Sequence, residues 1–383
     1  MSKDIVVVGG GIIGCSIALR LAEEGLSVAL IERGRIGCEA SRAAAGMLSP
    51  QADATSRNEF FDLCLRSLSI YREYADHLQE ASGIDPEYQD SGTLCVALDE
   101  NERGEMERWS GWQREAGLKI SSVTLDEIAR LEPGVTDSAA RGVFIPGDHQ
   151  VENRRIMEAL AVAARRAGVE VIEGEEVLEI AIDRGKAAGV KTTTGNLASS
   201  SVVIAAGCWS GGVADKTGLT LPVVPARGQM LALKGQDLPI SHVVHSRGCY
   251  LVPRLDGRIV VGSTVEYVEY RKGVTAGGIN WLLEAATKLV PELRQWELIE
   301  TWSGLRPDTP DHMPIMGTCG IDNLILATGH FRSGILLAPI TARLIAQTVM
   351  KGKAPDELRP FGIERFDESA GKLGHLGREK IAN

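Results

Sequence analysis

The start of the chain carries the pattern that most restricts its fold. Residues 4–8 (DIVVV) form a continuous apolar run, which is typical of a parallel strand covered on both faces. A glycine-rich turn follows at residues 9–14 (GGGIIG), and residues 15–24 then carry apolar side chains at helical spacing. Gly25 ends this predicted helix, and residues 27–32 (SVALIE) form a second strand. The chain is therefore expected to begin with a βαβ unit.

Three glycines of this turn, Gly9, Gly11 and Gly14, have the spacing of the dinucleotide motif G-x-G-x-x-G. The first permits a tight turn, the second lets a pyrophosphate approach the backbone, and the third allows close packing of helix and strand. Glu32 ends the second strand, where an acid can accept both ribose hydroxyls. The pattern favours a dinucleotide site over a glycine turn without a ligand, but it does not separate NAD from FAD.

The rest of the chain alternates between regions of mixed helices and strands and a region made mainly of strands. Helices are predicted over 58–82, 99–117 and 154–167, and strands over 93–98, 169–173 and 201–207. Residues 219–304 read as strands between Pro, Gly and charged turns, with one helix near 278–290, and the βα style returns at residue 324. This order predicts an α/β protein, α+β overall, with a discontinuous Rossmann-like domain and a second domain built on an antiparallel sheet.

The predicted domain limits follow these changes in predicted secondary structure. The nucleotide-binding domain is assigned to residues 1–85, 142–218 and 305–370, and the second domain to residues 86–141 and 219–304. Residues 371–383 are polar and are predicted to be a tail.

Composition excludes several classes of function. The chain has 383 residues and a net charge of −10, which argues against a nucleic-acid or anionic-membrane surface. It shows no run long enough for a membrane span and no signal peptide, so a cytoplasmic location is expected. The 7 cysteines are scattered without a C-x-x-C pair, and the histidines form no H-E-x-x-H motif, so neither a disulfide framework nor a metal site is expected.

Residues 324–339 (LILATGHFRSGILLAP) form a second informative segment. They read as a buried strand, a turn at Gly329, four exposed residues that include Arg332, and a helix that opens at Gly334. A helix N-terminus presents free N–H groups, and an arginine fork there suits a carboxylate. By itself, the segment is better interpreted as an ordinary junction between layers with a solvated arginine.

Residues 39–47 (EASRAAAGM) are rich in small side chains and follow the second strand directly. They lack the bulk of a core helix. The composition suits a loop that lies close against an extended cofactor, and it suits a flexible surface turn equally well.

Taken in order, these and other blocks resemble the D-amino-acid oxidase superfamily of flavoproteins. The blocks are the opening βαβ unit, AAAGML at 43–48, AAGCWS at 205–210, W-x-G-x-R-P at 302–307 and GHFRSGILLAP at 329–339. Within the superfamily the chain looks most like the glycine oxidase branch of thiazole (thiamine) biosynthesis. The resemblance covers residues 4 to about 366 and implies an FAD-binding domain and a substrate-binding domain. It also implies FAD held without a covalent bond.

The resemblance carries a set of cofactor residues over to this chain. The dinucleotide end of FAD would be bound by Gly9, Gly11, Ile12, Ile13, Gly14, Glu32, Arg33, Ala40, Ser41, Ala45, Gly46, Met47 and Val177. The isoalloxazine ring would be wrapped by His330, Phe331, Arg332, Ser333, Gly334, Ile335 and Leu336. Gly207 would be a further cofactor-binding residue. The helix dipole that begins near Ser333 would stabilise negative charge on the reduced ring.

The resemblance also implies that Arg306 and Arg332 hold the substrate carboxylate, with Tyr250 donating a further hydrogen bond. Arg306 could instead form a structural ion pair with Asp311, and Tyr250 could be a packing residue. Trp209 and Trp302 are expected in the core rather than as stacking groups. The chain departs from close relatives of this branch at Gly248–Cys249, Val265 and Ser49, where small side chains would widen the pocket.

The activity implied is oxidative deamination of glycine or another small amino acid. A hydride would pass from the α carbon to flavin, dioxygen would be the acceptor, and the products would be a 2-oxo acid, ammonia and hydrogen peroxide. No side chain is expected to act as a general acid or base, because the flavin supplies the chemistry. Rival readings are a D-amino-acid or sarcosine dehydrogenase that uses a quinone or protein acceptor, a nucleotide-binding module without turnover, and a tRNA-modifying oxidase. Relatives form homotetramers, so the resemblance makes a homo-oligomer an expectation.

Overall fold

The computed structural model describes residues 2–369, so the predicted tail at 371–383 lies outside the described residues. The helices are α1 Ile12–Glu23, α2 Ala40–Ala43, α3 Glu59–Ser69, α4 Tyr71–Ser82, α5 Glu100–Glu115, α6 Leu125–Leu131, α7 Asn153–Arg166, α8 Ser210–Ala214, α9 Ala276–Leu289 and α10 Gly334–Lys351. The strands are β1 Lys3–Val8, β2 Val28–Glu32, β3 Met47–Leu48, β4 Thr93–Ala97, β5 Ser121–Val123, β6 Arg141–Ile145, β7 His149–Gln150, β8 Glu170–Glu173, β9 Val177–Asp183, β10 Lys186–Thr192, β11 Asn196–Ile204, β12 Val224–Lys234, β13 Val243–His245, β14 Tyr250–Pro253, β15 Arg258–Gly262, β16 Glu297–Asp308, β17 Ile315–Thr318 and β18 Leu324–Thr328.

The first sheet is the nucleotide-binding layer that the opening βαβ unit predicts. Its central strands run in parallel in the order β18-β11-β1-β2-β8, with β17 antiparallel at one edge. The hairpin strands β9 and β10 branch from β11. The last four residues of β1 are fully buried, because apolar side chains pack on both faces of this central strand.

Helices α1, α7 and α10 cover one face of this sheet and form the largest apolar core of the described chain. Side chains of α1 and α10 pack against each other, which brings two helix N-termini to the same edge of the sheet. Because the carboxyl ends of parallel strands meet at one edge, β1, β11 and β18 all deliver their following turns there. This edge borders the candidate site.

The second sheet is largely antiparallel, in the order β16-β12-β15-β14-β13-β4-β6-β5. Only the β13–β4 pair is parallel within it. Helix α9 packs against one face through Leu282, Ala286 and Leu289, and these side chains belong to a separate apolar core. The predicted fold class, a parallel nucleotide-binding sheet beside an antiparallel one, is therefore confirmed.

The predicted domain limits remain a prediction, although the strands bear on their detail. Strand β6 lies in the second sheet but spans residues 141–145, beyond the predicted limit at 141. Strand β16 runs from 297 to 308 without a break and crosses the predicted limit at 304. In the described part of the chain, no helix combines the length and the apolar character that crossing a membrane requires.

Most predicted helix ends are found where their capping residues indicated. The Asn58 side chain accepts a hydrogen bond from the Phe61 N–H at the start of α3, and Gly83 ends α4 in the left-handed conformation. The single helix predicted over 58–82 is interrupted at Ile70, which joins α3 and α4. Similarly, the predicted loop at 39–47 contains the short helix α2.

Candidate active site

The glycine turn between β1 and α1 is packed so closely that side chains are excluded from it. Gly9 has φ +109°, and a Cβ on it would lie 2.5 Å from the Ala205 carbonyl oxygen. A Cβ on Gly14 would lie 1.9 Å from the Gly9 carbonyl oxygen. Around Gly11, the N-cap of α1, only the Ser41 hydroxyl would come near, at 3.3 Å. The N-terminus of α1 is thus open to a ligand while the turn beneath it is tightly packed.

Glu32 holds this turn in place from the end of β2. Its Oε2 accepts a hydrogen bond from the Gly10 N–H at 2.7 Å, and its Oε1 accepts one from the Gly34 N–H at 2.8 Å. Each carboxylate oxygen retains a further lone pair, so the side chain can still accept a hydroxyl. Next to it, the Arg33 guanidinium lies 3.6 Å above the centre of the Trp209 ring.

Residues 39–47 are hydrogen-bonded both to the first residue of α1 and to the first residue of α7. The Ser41 hydroxyl accepts a hydrogen bond from the Ile12 N–H at 2.9 Å, which occupies one free donor at the start of α1. The Asn153 amide donates to the Ser41 carbonyl at 3.0 Å and to the Arg42 carbonyl at 2.7 Å. Gly46 has φ +70°, and a Cβ on it would lie 2.0 Å from the Val151 carbonyl oxygen. The segment is therefore a fixed wall and not a flexible turn.

The segment after β18 differs from its predicted arrangement at His330. This residue was expected at the surface, yet it is only 3% exposed and its Nε2 lies 3.1 Å from the Thr341 hydroxyl. Burial lowers the pKa of His330 to about 3, so the ring is neutral at physiological pH. Gly329 turns the chain with φ +72°, and the Phe331 N–H donates to the Pro307 carbonyl at 2.9 Å. Arg332 is exposed, as predicted, at the N-terminus of α10.

Arg306 and Tyr250 approach Arg332 from the second sheet. The Arg306 guanidinium donates to the Ser263 hydroxyl at 2.6 Å and to the Thr264 carbonyl at 3.2 Å. It has no carboxylate partner among residues 2–369, and the alternative pairing with Asp311 is wrong because Asp311 binds Arg365 at 2.7 Å. Burial lowers the pKa of Arg306, and the Tyr250 hydroxyl opposes this by favouring its charged form.

Two glycines that the sequence analysis did not single out make room for these side chains. A Cβ on Gly228 of β12 would lie 2.1 Å from the Arg306 guanidinium. A Cβ on Gly262 of β15 would lie 2.4 Å from the Tyr250 hydroxyl. Glycines inside strands often mark close approach of another group, and this signal was available in the sequence.

One continuous cavity of about 370 Å³ joins these parts. It runs from the glycine turn, past the wall formed by residues 43–47, to the N-terminus of α10 and the three predicted substrate residues. All predicted site residues line it except Gly14, Ser333 and Leu336. Gly14 and Leu336 instead pack within their helices, and Ser333 is the N-cap of α10.

Other expectations about the cavity wall are corrected by the structure. Trp209, expected in the core, is half-buried and lines the cavity beneath Arg33. Val265 and Ser49, expected to widen the pocket, are not part of the cavity wall. Gly248 and Cys249 do line it, together with Asp53, His245 and Trp281, which the sequence analysis missed. Among the described residues, no group of His, Cys, Asp and Glu side chains is arranged to hold a metal ion.

Comparison with known proteins identifies the protein family to which the chain belongs. The family model described as FAD dependent oxidoreductase (DAO) matches residues 4–348, so the chain belongs to this family of FAD-dependent enzymes. The bifunctional protein ThiO/ThiG of Synechocystis sp. is 38% identical over 95% of this chain, although the chain spans only 54% of that protein. The glycine oxidase of Geobacillus kaustophilus is 35% identical over 97% of this chain and 98% of its own length.

Solved structures agree with the sequence relatives. The crystal structure of glycine oxidase from Geobacillus kaustophilus superposes with a TM-score of 0.90 over 94% of this chain and 98% of that one. The L-proline dehydrogenase from P.horikoshii superposes with a TM-score of 0.83 at 25% identity, over 96% of this chain and 98% of that one. The same fold therefore serves both an enzyme named an oxidase and one named a dehydrogenase.

The residues of the cavity fit FAD. The glycine turn leaves the N-terminus of α1 uncovered by any side chain larger than the Ser41 hydroxyl, as binding of a pyrophosphate requires. The cavity then continues to a second helix N-terminus, that of α10, where a partly negative ring system would be stabilised. A dinucleotide with a large ring at its far end matches both ends of this cavity.

Proposed function

We propose that this protein catalyses the FAD-dependent oxidation of a small amino acid, with glycine as the first candidate. The products would be a 2-oxo acid and ammonia, with dioxygen as acceptor and hydrogen peroxide as the second product. The relatives named glycine oxidase support this proposal, because the chain spans nearly their whole length. ThiO/ThiG supports a role in thiamine biosynthesis more weakly, because the chain spans little more than half of that protein.

The observation that carries the proposal is a pair of arginines without acidic partners in one cavity. Neither Arg306 nor Arg332 forms an ion pair within residues 2–369, although both line the cavity beside Tyr250. The Arg306 guanidinium is half-buried, and withdrawing a guanidinium from water is costly unless an anion pairs with it. A substrate carboxylate would supply that anion, and two guanidinium groups would fix its direction.

The chain's own residues would orient the substrate. Arg306 and Arg332 would hold the carboxylate, the Tyr250 hydroxyl would donate a further hydrogen bond, and the α carbon would then be held in one direction. When bound, FAD supplies the redox chemistry by accepting a hydride from that carbon. The N-terminus of α10 would stabilise negative charge at its end of the cavity, and the neutral His330 beside it adds no competing charge. We assign no side chain as general acid or base.

We also propose that FAD is bound without a covalent bond. Cys208 and Cys249 line the cavity, but both are buried, at 1% and 4% exposure. Burial raises the pKa of each thiol to about 12, so neither is a thiolate at physiological pH. A buried neutral thiol is a poor nucleophile. Denaturation should therefore release all of the flavin into solution.

The decisive experiment is substitution of Arg332 by alanine in the flavin-loaded protein. Charge-assisted hydrogen bonds contribute about 1.5–3 kcal/mol each, so the KM for glycine should rise roughly 10- to 100-fold. The amount of FAD bound per protein, measured by its visible absorbance, should not fall by a comparable factor. Arg343→Ala is the matched control, because Arg343 lies on an exposed position of the same helix.

Near-normal kinetics in Arg332→Ala, or an equal effect in Arg343→Ala, would remove the carboxylate assignment. The acceptor is tested separately by measuring peroxide under air. The fold shared with L-proline dehydrogenase makes a dehydrogenase the second candidate. Turnover with an artificial electron acceptor but no peroxide under air would favour that candidate.

A further inference from the structure

The cavity extends beyond the three residues that would hold the α-carboxylate. Besides those three residues, its wall includes Arg247, whose guanidinium is paired with the Glu105 carboxylate at 3.3 Å. It also includes Asp53, His245, Gly248 and Trp281. We refer to these four residues as the outer compartment. They come from the turn after β3, the end of β13, the β13–β14 turn and helix α9. Glycine has no side chain, so it would leave this space unused.

Asp53 supplies a fixed negative charge to the outer compartment. The residue is exposed at the cavity mouth and forms no ion pair or hydrogen bond with the other residues that the structure describes. Its charge acts on two neighbours, since it favours the charged forms of His245 and Arg306. An unpaired carboxylate can only accept hydrogen bonds, and it repels other carboxylates.

The turn that carries Asp53 is held rigidly from below. Asp148, which is fully buried, accepts hydrogen bonds from the Gln51 N–H at 3.2 Å and from the Ala52 N–H at 3.0 Å. The Gln113 amide also donates to the Gln51 carbonyl at 2.8 Å. Because the two residues before Asp53 are anchored, its position does not have to be ordered when a ligand binds.

His245 adds a neutral imidazole to the same cavity wall as Asp53. Its ring stacks on Tyr250 with the centroids 6.4 Å apart and the planes at 19°. Among the described residues, neither of its ring nitrogens has a hydrogen-bond partner. Burial and the charge of Arg332 lower the pKa of His245, so the ring is neutral at physiological pH. A neutral imidazole offers one donor and one acceptor to a ligand.

We propose that the outer compartment binds the side chain of the substrate and selects amino acids whose side chain donates hydrogen bonds, through a hydroxyl or an ammonium group. Side chains that end in a carboxylate are rejected by Asp53. This inference rests on the proposed amino-acid oxidation and names the substrate class of the same site. It follows from an unpaired carboxylate and an unpaired imidazole that face one cavity beyond the carboxylate-binding arginines.

The test compares substrates in the flavin-loaded protein under anaerobic conditions, with flavin bleaching as the readout. The probes are glycine, alanine, serine, 2,4-diaminobutyrate and aspartate, each chiral one as both enantiomers. The second-order rate constant of bleaching by each probe is divided by that for glycine. In the wild type, serine and diaminobutyrate should exceed aspartate by roughly 100-fold, because the Asp53 carboxylate repels a second carboxylate. Asp53→Asn should lower the diaminobutyrate ratio and raise the aspartate ratio, each by about 10-fold.

Two further variants separate the compartment from general effects. His245→Phe keeps a stacked ring but removes both nitrogens, so the ratio of serine to alanine should fall by about 2- to 10-fold, as loss of one hydrogen bond predicts. Asp237→Asn is the matched control, because Asp237 is exposed and outside the cavity, and it should change no ratio. If Asp53→Asn leaves the diaminobutyrate and aspartate ratios unchanged, the inference is overturned while the proposed function is unaffected.

An equilibrium measurement keeps the inference testable without turnover. Acetate and succinate are titrated against the oxidised flavin spectrum, and the ratio of their dissociation constants is recorded. Asp53→Asn should improve the binding of succinate relative to acetate by about 10-fold, since one like-charge contact is removed. An unchanged ratio would overturn the inference. If these acids bind as expected but no amino acid bleaches the flavin, the proposed oxidation fails and the charge selection by Asp53 stands.

Discussion

His330 shows how strongly burial changes a single residue. In the sequence it stands between a turn glycine and an arginine, where a surface position is the natural expectation. The structure buries it against Thr341 of α10, and its pKa falls to about 3. The ring can then serve the site only as a neutral hydrogen-bonding group.

This burial predicts a dependence of stability on acid. In the unfolded chain a histidine has a pKa of about 6.5, so it binds a proton below that pH while the folded protein does not. Stability should therefore be lost as the pH falls from about 6.5 towards 3, with a slope of about 1.4 kcal/mol per pH unit from this group. Denaturant unfolding of wild type and His330→Gln between pH 4 and 7, both at saturating FAD, measures the difference.

Wild type should lose more stability than His330→Gln across that range. Parallel pH profiles for wild type and His330→Gln would show that the histidine does not titrate between the folded and unfolded states, contrary to the prediction.

Residue types and motifs predict the charged groups of the site but not their surroundings. For Arg306 the sequence allows both a substrate role and an ion pair with Asp311, because residue type alone does not specify a partner. The structure removes the ion pair by joining Asp311 to Arg365. Asp53 and His245 carried no motif at all, so only their meeting in one cavity reveals them.

Arg254 links elements that are distant in the sequence. It lies directly after β14 and is only 1% exposed. Its guanidinium donates to the carbonyls of Val151 and Ala45, and its Nε lies 3.0 Å from the Glu152 carboxylate. Ala45 belongs to the predicted FAD-binding segment at residues 39–47. The side chain that follows β14 of the second sheet therefore holds this segment in place through a hydrogen bond.

Removal of this arginine should destabilise the protein strongly. Arg254→Met leaves the buried Glu152 carboxylate with Arg258, at 3.6 Å, as its remaining ion-pair partner and the Arg154 N–H as a hydrogen-bond donor. A loss of about 3–5 kcal/mol is therefore expected. Urea unfolding of the flavin-loaded protein measures it. The double variant Arg254→Met/Glu152→Gln should lose less than Arg254→Met alone, because the uncompensated charge is gone. A double variant that loses the sum of both single effects would contradict the ion-pair account.

At the element scale, local patterns predicted most helices and strands. Asn58 and Gly83 marked the two ends of the α3–α4 region correctly, because capping depends on neighbours within one turn. The break at Ile70 and the short helix α2 were missed. Helix α2 has only four residues and is held by contacts such as Asn153 to the Ser41 carbonyl, which no local pattern contains.

The cavity belongs to the whole molecule, because both sheets contribute to its wall. The glycine turn and residues 329–335 come from the first sheet and its helices, whereas Met230, Tyr250 and Arg306 come from the second. A ligand that fills the cavity therefore touches both. Its binding energy should stabilise the two sheets together rather than one of them.

FAD binding tests this expectation. At a free concentration of about 100 times its dissociation constant, FAD should stabilise the folded protein by about 2.7 kcal/mol relative to the apoprotein. Hydrogen exchange should slow in β1 and α1, and also in β12 and β16, when FAD is added. ADP is the matched ligand, because it fills only the nucleotide end of the cavity. ADP should slow hydrogen exchange in β1 and α1 but not in β12 and β16. Protection of β1 and α1 by FAD without β12 and β16 would contradict a cavity shared by both sheets.

Sequence patterns predict the opening βαβ unit and the dinucleotide turn, because each depends on spacing within a short segment. The order of several motif blocks along residues 4–366 predicts the fold class and the family. Sterics confine the turn to glycine, and burial on both faces requires the apolar run before it. Only the tertiary structure decided which side chains share the cavity, that His330 is buried, and that Asp53 and His245 face the space beyond Arg306. Those facts depend on contacts between residues far apart in the chain, where a pattern indicates which face is buried but not what will lie against it.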